Sequence, residues 1–386
     1  MFHVIMGLLA LYVSGRLVWR RPWPYRVKWA ICLALVASSQ HHLITRSFFG
    51  SMASPEVPGW ILMFLGWAFG SMLITACLFF VVDVLGGVVS LLSRRAGRAL
   101  LDSRSALRPS LALAVAALSV AGVWQAVRVP DVRTVEITLP ALPPAFDGFR
   151  VVQLTDLHAS RLLRRPWMEA VVGKANALEP DLIVLTGDMV DGTTLARADD
   201  VEPLRRLTAG HGVFAIPGNH EYYEEYQPWI HHFESLGLRM LLNEHVAITN
   251  GDASIALAGI TDPAAARFGM PMPDIQGALA GLAPEDPVIL LSHRPPGARR
   301  NADAGVNLQL SGHTHGGQVW GLHWITQWAN GGYVSGLYTV GDMRLFVSNG
   351  AGLWNGFPVR LGRPSEITQI VLRAGGPSIP QHHEKH

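Results

Sequence analysis

Apolar residues along the first third of the chain run in blocks too long for an ordinary core helix. Four can be drawn, at about 2–19, 27–44, 60–82 and 109–127. A bilayer core of ~30 Å takes ~20 helical residues at ~1.5 Å each, so each block is near or above the length of a span. The third stays apolar as far as Leu92 and is long enough to tilt or to leave the membrane as an interfacial helix. The second is the weakest span, because it ends in Ser38-Ser39-Gln40-His41-His42. From Arg128 the pattern changes to short β-rich runs separated by turns and helical segments. Strands are predicted at Thr134–Leu139, Arg150–Leu154, Leu182–Thr186, Gly212–Ile216, Ser254–Ala258, Val288–Leu291, Asn307–Leu310, Arg344–Val347 and Ile367–Leu372. Helices are predicted at Pro166–Leu178, Val201–Thr208, Tyr222–Leu236 and Asp274–Leu282. The expected architecture is a multi-pass α-helical membrane anchor over residues 1–127, followed by one α/β domain over 128–374 with packed sheets covered by helices. Residues 375–386, rich in Pro, His and charge, are expected to be a disordered tail.

Composition and charge sharpen this division. Hydrophobic residues make up 49% of the 386 and charged residues only 16%, which excludes intrinsic disorder and argues against a wholly soluble chain. Residues 1–127 carry 11 Lys and Arg against 3 Asp and Glu, whereas the remainder carries 20 against 26. An acidic second part is a poor nucleic-acid binder, because such binding needs a basic face to replace counterions. The two cysteines, Cys32 and Cys77, both lie in apolar blocks, so the C-terminal part holds neither a disulfide framework nor a cysteine zinc site.

Basic residues also alternate between loops. Arg16, Arg20, Arg21, Arg26 and Lys28 stand around the first connection, and Arg46 alone in the second. Arg94, Arg95, Arg98, Arg104 and Arg108 stand in the third, and Arg128 and Arg133 follow the last block. The positive-inside rule then puts the first and third connections in the cytoplasm. With four spans, the C-terminal domain lies on the extracytoplasmic face of the cell membrane. The first block does not read as a cleaved signal peptide, since Met1-Phe2-His3 lacks a basic residue and three more blocks follow. Asp83, His41 and His42 are expected at the membrane interface, not on a transport path or a metal.

Chemistry concentrates where the predicted strands end. Val151–Leu154 runs into Thr155-Asp156-Leu157-His158, and Leu182–Leu185 into Thr186-Gly187-Asp188-Met189-Val190-Asp191. Val213–Ile216 runs into Pro217-Gly218-Asn219-His220-Glu221, Ile289–Leu291 into Ser292-His293, and Leu308–Leu310 into Ser311-Gly312-His313-Thr314-His315. Ligands of α/β sheets bind beyond the carboxyl ends of strands, where loops converge. Five such ends bearing carboxylate, amide and imidazole suit divalent ions such as Zn, Mn or Fe. Two ions ~3.5–4 Å apart can share one bridging carboxylate, and seven candidate ligands are present: Asp156, His158, Asp188, Asn219, His293, His313 and His315.

These motifs, in this order, resemble the calcineurin-like metallophosphoesterases over residues 150–373: Asp156-x-His158, Gly187-Asp188-x-x-Asp191, Gly218-Asn219-His220-Glu221, His293 and Gly312-His313-Thr314-His315. With Gly316-Gly317-Gln318 and the apolar N-terminal blocks, the chain is similar to the membrane-associated bacterial phosphodiesterases of the YaeI and YkuE type. The resemblance implies a β-sandwich flanked by helices and a centre of two divalent metal ions (Mn, Zn or Fe). Asp156, His158 and His315 would hold the first ion, Asp188 would bridge, and Asn219, His293 and His313 would hold the second. His220 would be the catalytic proton donor to the leaving oxygen, held by a carboxylate such as Asp191 or Glu221. The implied reaction is hydrolysis of a phosphoester by metal-activated hydroxide. Read alone, Asp191 also suits a helix N-cap and Glu221 the surface.

The membrane anchor turns the substrate reading toward a phosphodiester or a lipid-linked phosphate or pyrophosphate. Trp320, Trp324 and Trp328, with Leu322 and Ile325 between them, read first as core packing and second as a face for the bilayer or an acyl chain. Arg294 suits either a phosphate contact or the surface. The competing readings are a catalytically silent metal-binding membrane scaffold or sensor, and a transporter with an accessory domain. Four short spans with one interfacial carboxylate give the transporter little support.

Overall fold

The computed structural model describes residues 2–51, 54–102 and 106–375; the expected tail lies outside them from residue 376. Two compact units divide the chain. One comprises residues 1–127 together with Trp354–Leu361, and the other residues 128–353 and 362–386.

The first unit is helical. It contains α1 (Phe2–Ser14), continued by a π-helical turn over Gly15–Trp19, then α2 (Tyr25–Phe48), α3 (Gly59–Leu92), α4 (Arg94–Leu101) and α5 (Leu107–Val127). Among the described residues, three helical stretches are long and apolar enough to cross a membrane: Phe2–Trp19, Gly59–Leu92 and Leu107–Val127. The 34 residues of α3 rise ~51 Å, well beyond a ~30 Å bilayer core. α2 has the length but not the apolarity, because Ser39, His41, His42 and Thr45 interrupt it. All four are buried within the unit, so this polarity faces protein. His41 and His42, expected at the membrane interface, thus meet protein groups. His41 Nδ1 lies 2.8 Å from the Ser38 carbonyl, and His42 Nε2 lies 2.6 Å from the Gly356 carbonyl. Asp83 is partly buried within the same unit. It takes a hydrogen bond from Tyr12 at 2.5 Å and ion pairs with Arg16 and with the fully buried Arg108.

Trp354–Leu361 is seated in this helical unit on glycines. Pro358 packs where a side chain at Gly66 would stand, and Val359 lies against Gly70 and Gly122. The Arg360 amide donates to the Gly122 carbonyl at 2.9 Å, and the Trp354 ring stacks on His42 with centroids 5.9 Å apart.

The second unit holds two six-stranded mixed sheets. The first contains β1 (Asp131–Leu139), β2 (Arg150–Leu154), β3 (Leu182–Thr186), β4 (Val213–Ile216) and β5 (Arg239–Met240), with β12 (Glu366–Ala374) inserted between β1 and β2. The second contains β6 (Glu244–Asn250), β7 (Ala253–Gly259), β8 (Val288–Leu291), β9 (Leu308–Ser311), β10 (Gly336–Val340) and β11 (Met343–Val347), in the order β10-β11-β9-β8-β7-β6. β2, β3, β4 and β5 run parallel, as do β7, β8, β9 and β11. One apolar core takes residues from both sheets, including Val151, Val184, Ile216, Leu257, Leu291, Leu310, Phe346 and Ile370. A second core joins Ala256, Ala258 and Leu290 of the second sheet to α10 (Ile275–Ala278) and α11 (Ala298–Asp303). The remaining helices are α6 (Arg165–Asn176), α7 (Thr194–Val201), α8 (Asn219–Tyr223), α9 (Tyr226–Ser235) and α12 (His323–Ala329). This is the helix-flanked β-sandwich expected from the sequence.

Three helix expectations shift. Val201–Thr208 is the end of α7 followed by a 3-10 turn over Glu202–Arg206. The helix starts earlier, because the Thr193 hydroxyl accepts the Ala196 amide as its N-cap. Tyr222–Leu236 is split, because Glu224 and Glu225 leave the helical conformation and the Glu225 carboxylate takes the Thr194 amide and hydroxyl at 2.8 Å. Asp274–Leu282 shrinks to the four residues of α10.

The seating of Trp354–Leu361 is testable. Gly66→Val forces a branched side chain into the Pro358 ring, an overpacking that costs ~1–3 kcal/mol. The full chain in detergent should melt at a lower temperature and be cleaved faster by protease within 354–361. An unchanged melting temperature and cleavage pattern would show that the segment does not rest on Gly66.

Candidate metal centre

Each strand that leads into the site ends by leaving the β conformation abruptly. Asp156, His158, Asp188, His313 and His315 have φ of 53°, 46°, 54°, 69° and 49°. Asp and His are among the residues that best tolerate this left-handed region, which still costs ~1–3 kcal/mol at each position. In Asp156-x-His158 and His313-x-His315 the first and third residues both adopt it, which turns both side chains off the strand direction. The sheet order then gathers them. β2, β3 and β4 are neighbours in one sheet, β8, β9 and β11 in the other, and the carboxyl ends of both sets supply the site.

Asp188 stands at the centre. Its Oδ2 lies 3.2 Å from His293 Nε2, 3.8 Å from His158 Nε2 and 3.9 Å from His220 Nε2, while its Oδ1 accepts the His220 amide at 2.8 Å. Among the described residues, three groups have ligand atoms close enough to share an ion: Asp156, His158 and His315; Asp188, His293 and His313; and His158, Asp191 and His220. The third group is better read as a brace. Asp191 Oδ1 lies 3.0 Å from His158 Nδ1 and 2.6 Å from His220 Nδ1, so one buried carboxylate orients two imidazoles and leaves both Nε2 atoms turned inward. Gly218 has no room for a side chain, since a Cβ there would meet Asp188 Oδ1; a Cβ at Gly312 would likewise meet Asp156 Oδ2.

The donor set fits two cations. His293 Nδ1 faces the Thr186 carbonyl at 2.8 Å and is therefore its protonated nitrogen. Its Nε2 is buried, has no hydrogen bond, and points at the Asp188 carboxylate. Two lone pairs cannot face each other there without a proton or a cation between them. His158 Nε2 and His315 Nε2 stand only 3.3 Å apart, with Asp156 Oδ1 3.6 Å from the latter. Asn219 Oδ1 is buried with no hydrogen-bond partner. Buried imidazole, carboxylate and amide donor atoms converging on one place is the chemistry of a cation site.

Without cations, protons take their place. Burial opposes charge on His293, but Asp188 and Asp156 outweigh it and raise its pKa to about 10. Burial likewise opposes charge on His220, and Asp188 with Asp191 raises it to about 9. Burial would lift Asp188, yet His293 and His220 hold it well below the usual carboxylate range. Burial, reinforced by Asp188, pushes Asp156 up. His313 is held well below the ordinary imidazole value by burial and by the neighbouring positive charges of His293 and Arg294.

The two supporting carboxylates divide their work. Asp191 is no helix cap, since α7 is capped by Thr193. Glu221 is fully buried, not on the surface. It accepts the amides of Asp188, Met189 and Gly218 at 3.0, 2.7 and 2.7 Å, tying the β3 and β4 loops together instead of holding His220. Burial, reinforced by Asp188, pushes its carboxyl up to about 7. Arg294 is paired with Asp262 at 2.8 Å and is only partly exposed. Trp320, Trp324 and Trp328 are not core residues; all three are exposed.

Two features of the site escaped the sequence analysis. The loop Asn349–Gly352 after β11 closes over Asp156. The Gly352 amide donates to the Asp156 carbonyl at 2.8 Å, and a Cβ at Gly350 would crowd the Asp156 side chain. The signal was present, since β11 also ends in an Asn-Gly pair. Tyr223, with its ring 5.1 Å from that of His220, carried no pattern that would single it out.

Comparison with known proteins agrees with this geometry. The model of the calcineurin-like phosphoesterase family matches residues 149–317. The transmembrane protein with metallophosphoesterase domain of Bos taurus is 37% identical over 79% of this chain and 72% of that protein. The protein of the same description from Danio rerio is 33% identical over 86% and 84%. The metallophosphoesterase YkuE of Bacillus subtilis is 34% identical over 68% of this chain and 94% of its own length. With the paired His and Asp clusters at the strand ends, this similarity establishes that the chain belongs to the calcineurin-like metallophosphoesterases, metal-dependent hydrolases of phosphoesters.

Proposed function

We propose that the chain is a membrane-anchored dimetal phosphoesterase acting on a phosphodiester or on a lipid-linked phosphate or pyrophosphate. The observation that carries this reading is the position of Asp188 Oδ2, within 3.2–3.9 Å of imidazole nitrogens from three loops. Asp156, His158 and His315 would hold one cation, Asn219, His293 and His313 the other, and Asp188 both. Bound there, two divalent cations supply charge neutralisation at phosphorus and a water acidified toward hydroxide.

The chain's own groups account for the rest. We assign His220 to proton donation and not to the ligand set; its Nδ1 is held by Asp191 and its backbone amide by Asp188. Its remaining nitrogen is placed to donate to the departing oxygen, with the Asp191 carboxylate on Nδ1 favouring the protonated ring. Asp191 fixes the ring and supports its positive charge. Glu221 keeps the Asp188 and Asn219 loops in register, so both ligands meet the same point.

For the membrane part, we propose that α2 is a fourth span. Its polar side chains are buried within the helical unit, and its exposed positions include Leu33, Leu43 and Ile44. Four spans and the loop charges put the hydrolase unit outside the cytoplasm. Protease added to intact spheroplasts should then cleave it; complete protection would reverse the orientation.

The reading is tested with the full chain in detergent, stripped of metal and titrated with Mn, Zn, Fe or Mg against chromogenic phosphomonoesters and phosphodiesters. Turnover should require metal, and Asp188→Asn should lower it at least ~100-fold with loss of bound metal. His220→Ala should lower turnover ~10²–10⁴-fold with metal content near two per chain, whereas unchanged turnover would remove the proton-donor role.

Metal uptake should also release protons. A His293 imidazole whose pKa is about 10 is charged at neutral pH and must lose its proton to bind an ion. Calorimetric titration in buffers of different ionisation enthalpy should report about one proton or more released per chain. Binding without release would exclude His293 as a ligand.

A further inference from the structure

The region between Asp303 and Asp342 contains no Asp, Glu, Lys or Arg. Part of it is strand and metal loop, but its middle is surface. Trp320 is 68% exposed, Trp324 60%, Ile325 64% and Trp328 83%. These residues form one face. Trp320 and Trp324 have ring centroids 5.9 Å apart, and Trp324, Ile325 and Trp328 follow at helical spacing along α12. On a water-facing surface, three tryptophans and an isoleucine left exposed together are costly. At a membrane surface the same set is favourable, because indole rings settle at the headgroup level.

The chain itself argues for lipid as the occupant. Val319, directly before Trp320, pairs through a β-bridge with Gly362. Gly362 directly follows Leu361, the last residue of the segment that belongs to the helical unit. The backbone that carries the tryptophans is thus tied to the point where the chain leaves the apolar helices. In the other direction, Trp320 lies five residues after His315, whose side chain is part of the candidate metal centre.

We propose that the Trp320–Trp328 face is a docking surface that inserts into the headgroup region of the membrane in which the chain is anchored. Its function is to present the metal centre to phosphoesters carried on lipids. Docking stands on the surface alone; presentation of a lipid substrate rests on the hydrolase reading, and the two are tested separately.

The docking test uses the full chain in nanodiscs of phosphatidylcholine and phosphatidylglycerol. Cys32 and Cys77 are free thiols and are first replaced by Ala. A nitroxide is attached at Ile325→Cys, and in a second variant at Arg299→Cys, an exposed position on α11. Docking predicts that the label at 325 collides several-fold more with oxygen and several-fold less with a water-soluble nickel chelate than the label at 299. Equal exposure of both labels to the chelate would overturn the proposal. So would a label at 325 shielded from both probes and broadened by a second spin, which would assign the face to another copy of the chain. Neither readout depends on turnover.

The presentation test compares Trp324→Ser/Trp328→Ser with the parent chain in the same nanodiscs. Hydrolysis of a lipid-borne phosphodiester should fall ~10-fold while that of a soluble chromogenic ester stays within ~2-fold. An equal fall on both substrates would reduce the face to a structural role. If neither chain hydrolyses anything, the hydrolase reading fails, while the nitroxide result still decides the docking.

Discussion

Left-handed backbone at five of the seven candidate ligands is the constraint around which the hydrolase unit is built. Each such residue is costly, and each is held because something on either side of it is fixed. Before it stands a strand buried on both faces; after it come tight turns with glycine where a second loop presses close. The two-sheet core is what makes this affordable. Val184, Leu291 and Leu310 pack between the sheets, and their strands deliver Asp188, His293 and His313 to one point. A looser sandwich would let the loops relax to ordinary φ and swing the imidazoles off Asp188.

The same logic explains what the sequence made legible. β2, β3, β4, β8 and β9 are interior strands, and an interior strand is apolar on both faces, so it shows as a short continuous run. Their ends are then easy to find, and the ligands sit at the ends. β5, β6 and β10 were not seen because they lie at or beside the sheet margins. β5 has two residues, and β6 is mostly part-exposed, so neither shows a run of apolar residues. The helix boundaries failed where a distant carboxylate intervened, as Glu225 does at Thr194, since no local pattern records a bond across 31 residues.

The supporting residues were less legible than the ligands. Glu221 reads as one more acidic residue near a helix start, and only the fold reveals that it gathers three amides from two loops. Asn349–Gly352 reads as an ordinary turn until Asp156 is seen beneath it. The tryptophans misled in the opposite sense. Apolar residues at helical spacing suggest a core, and nothing in their spacing says that the face they form is left uncovered. The uncharged stretch of sequence from 304 to 341 was the more informative signal.

The seating of Trp354–Leu361 among the helices has a consequence for how the molecule is made. The ribosome delivers the apolar helices before β12, with this segment between the Asn349–Gly352 loop and that strand. β12 fills the gap between β1 and β2, so the first sheet stays open until β12 has been made. The segment that precedes it finds its glycine seat only in helices already assembled. The helices that seat the segment are therefore made before the strand that closes the first sheet. A hydrolase excised at Arg128 would carry the segment without its seat, and its two ends, Leu353 and Gly362, would lose the clasp that sets their separation.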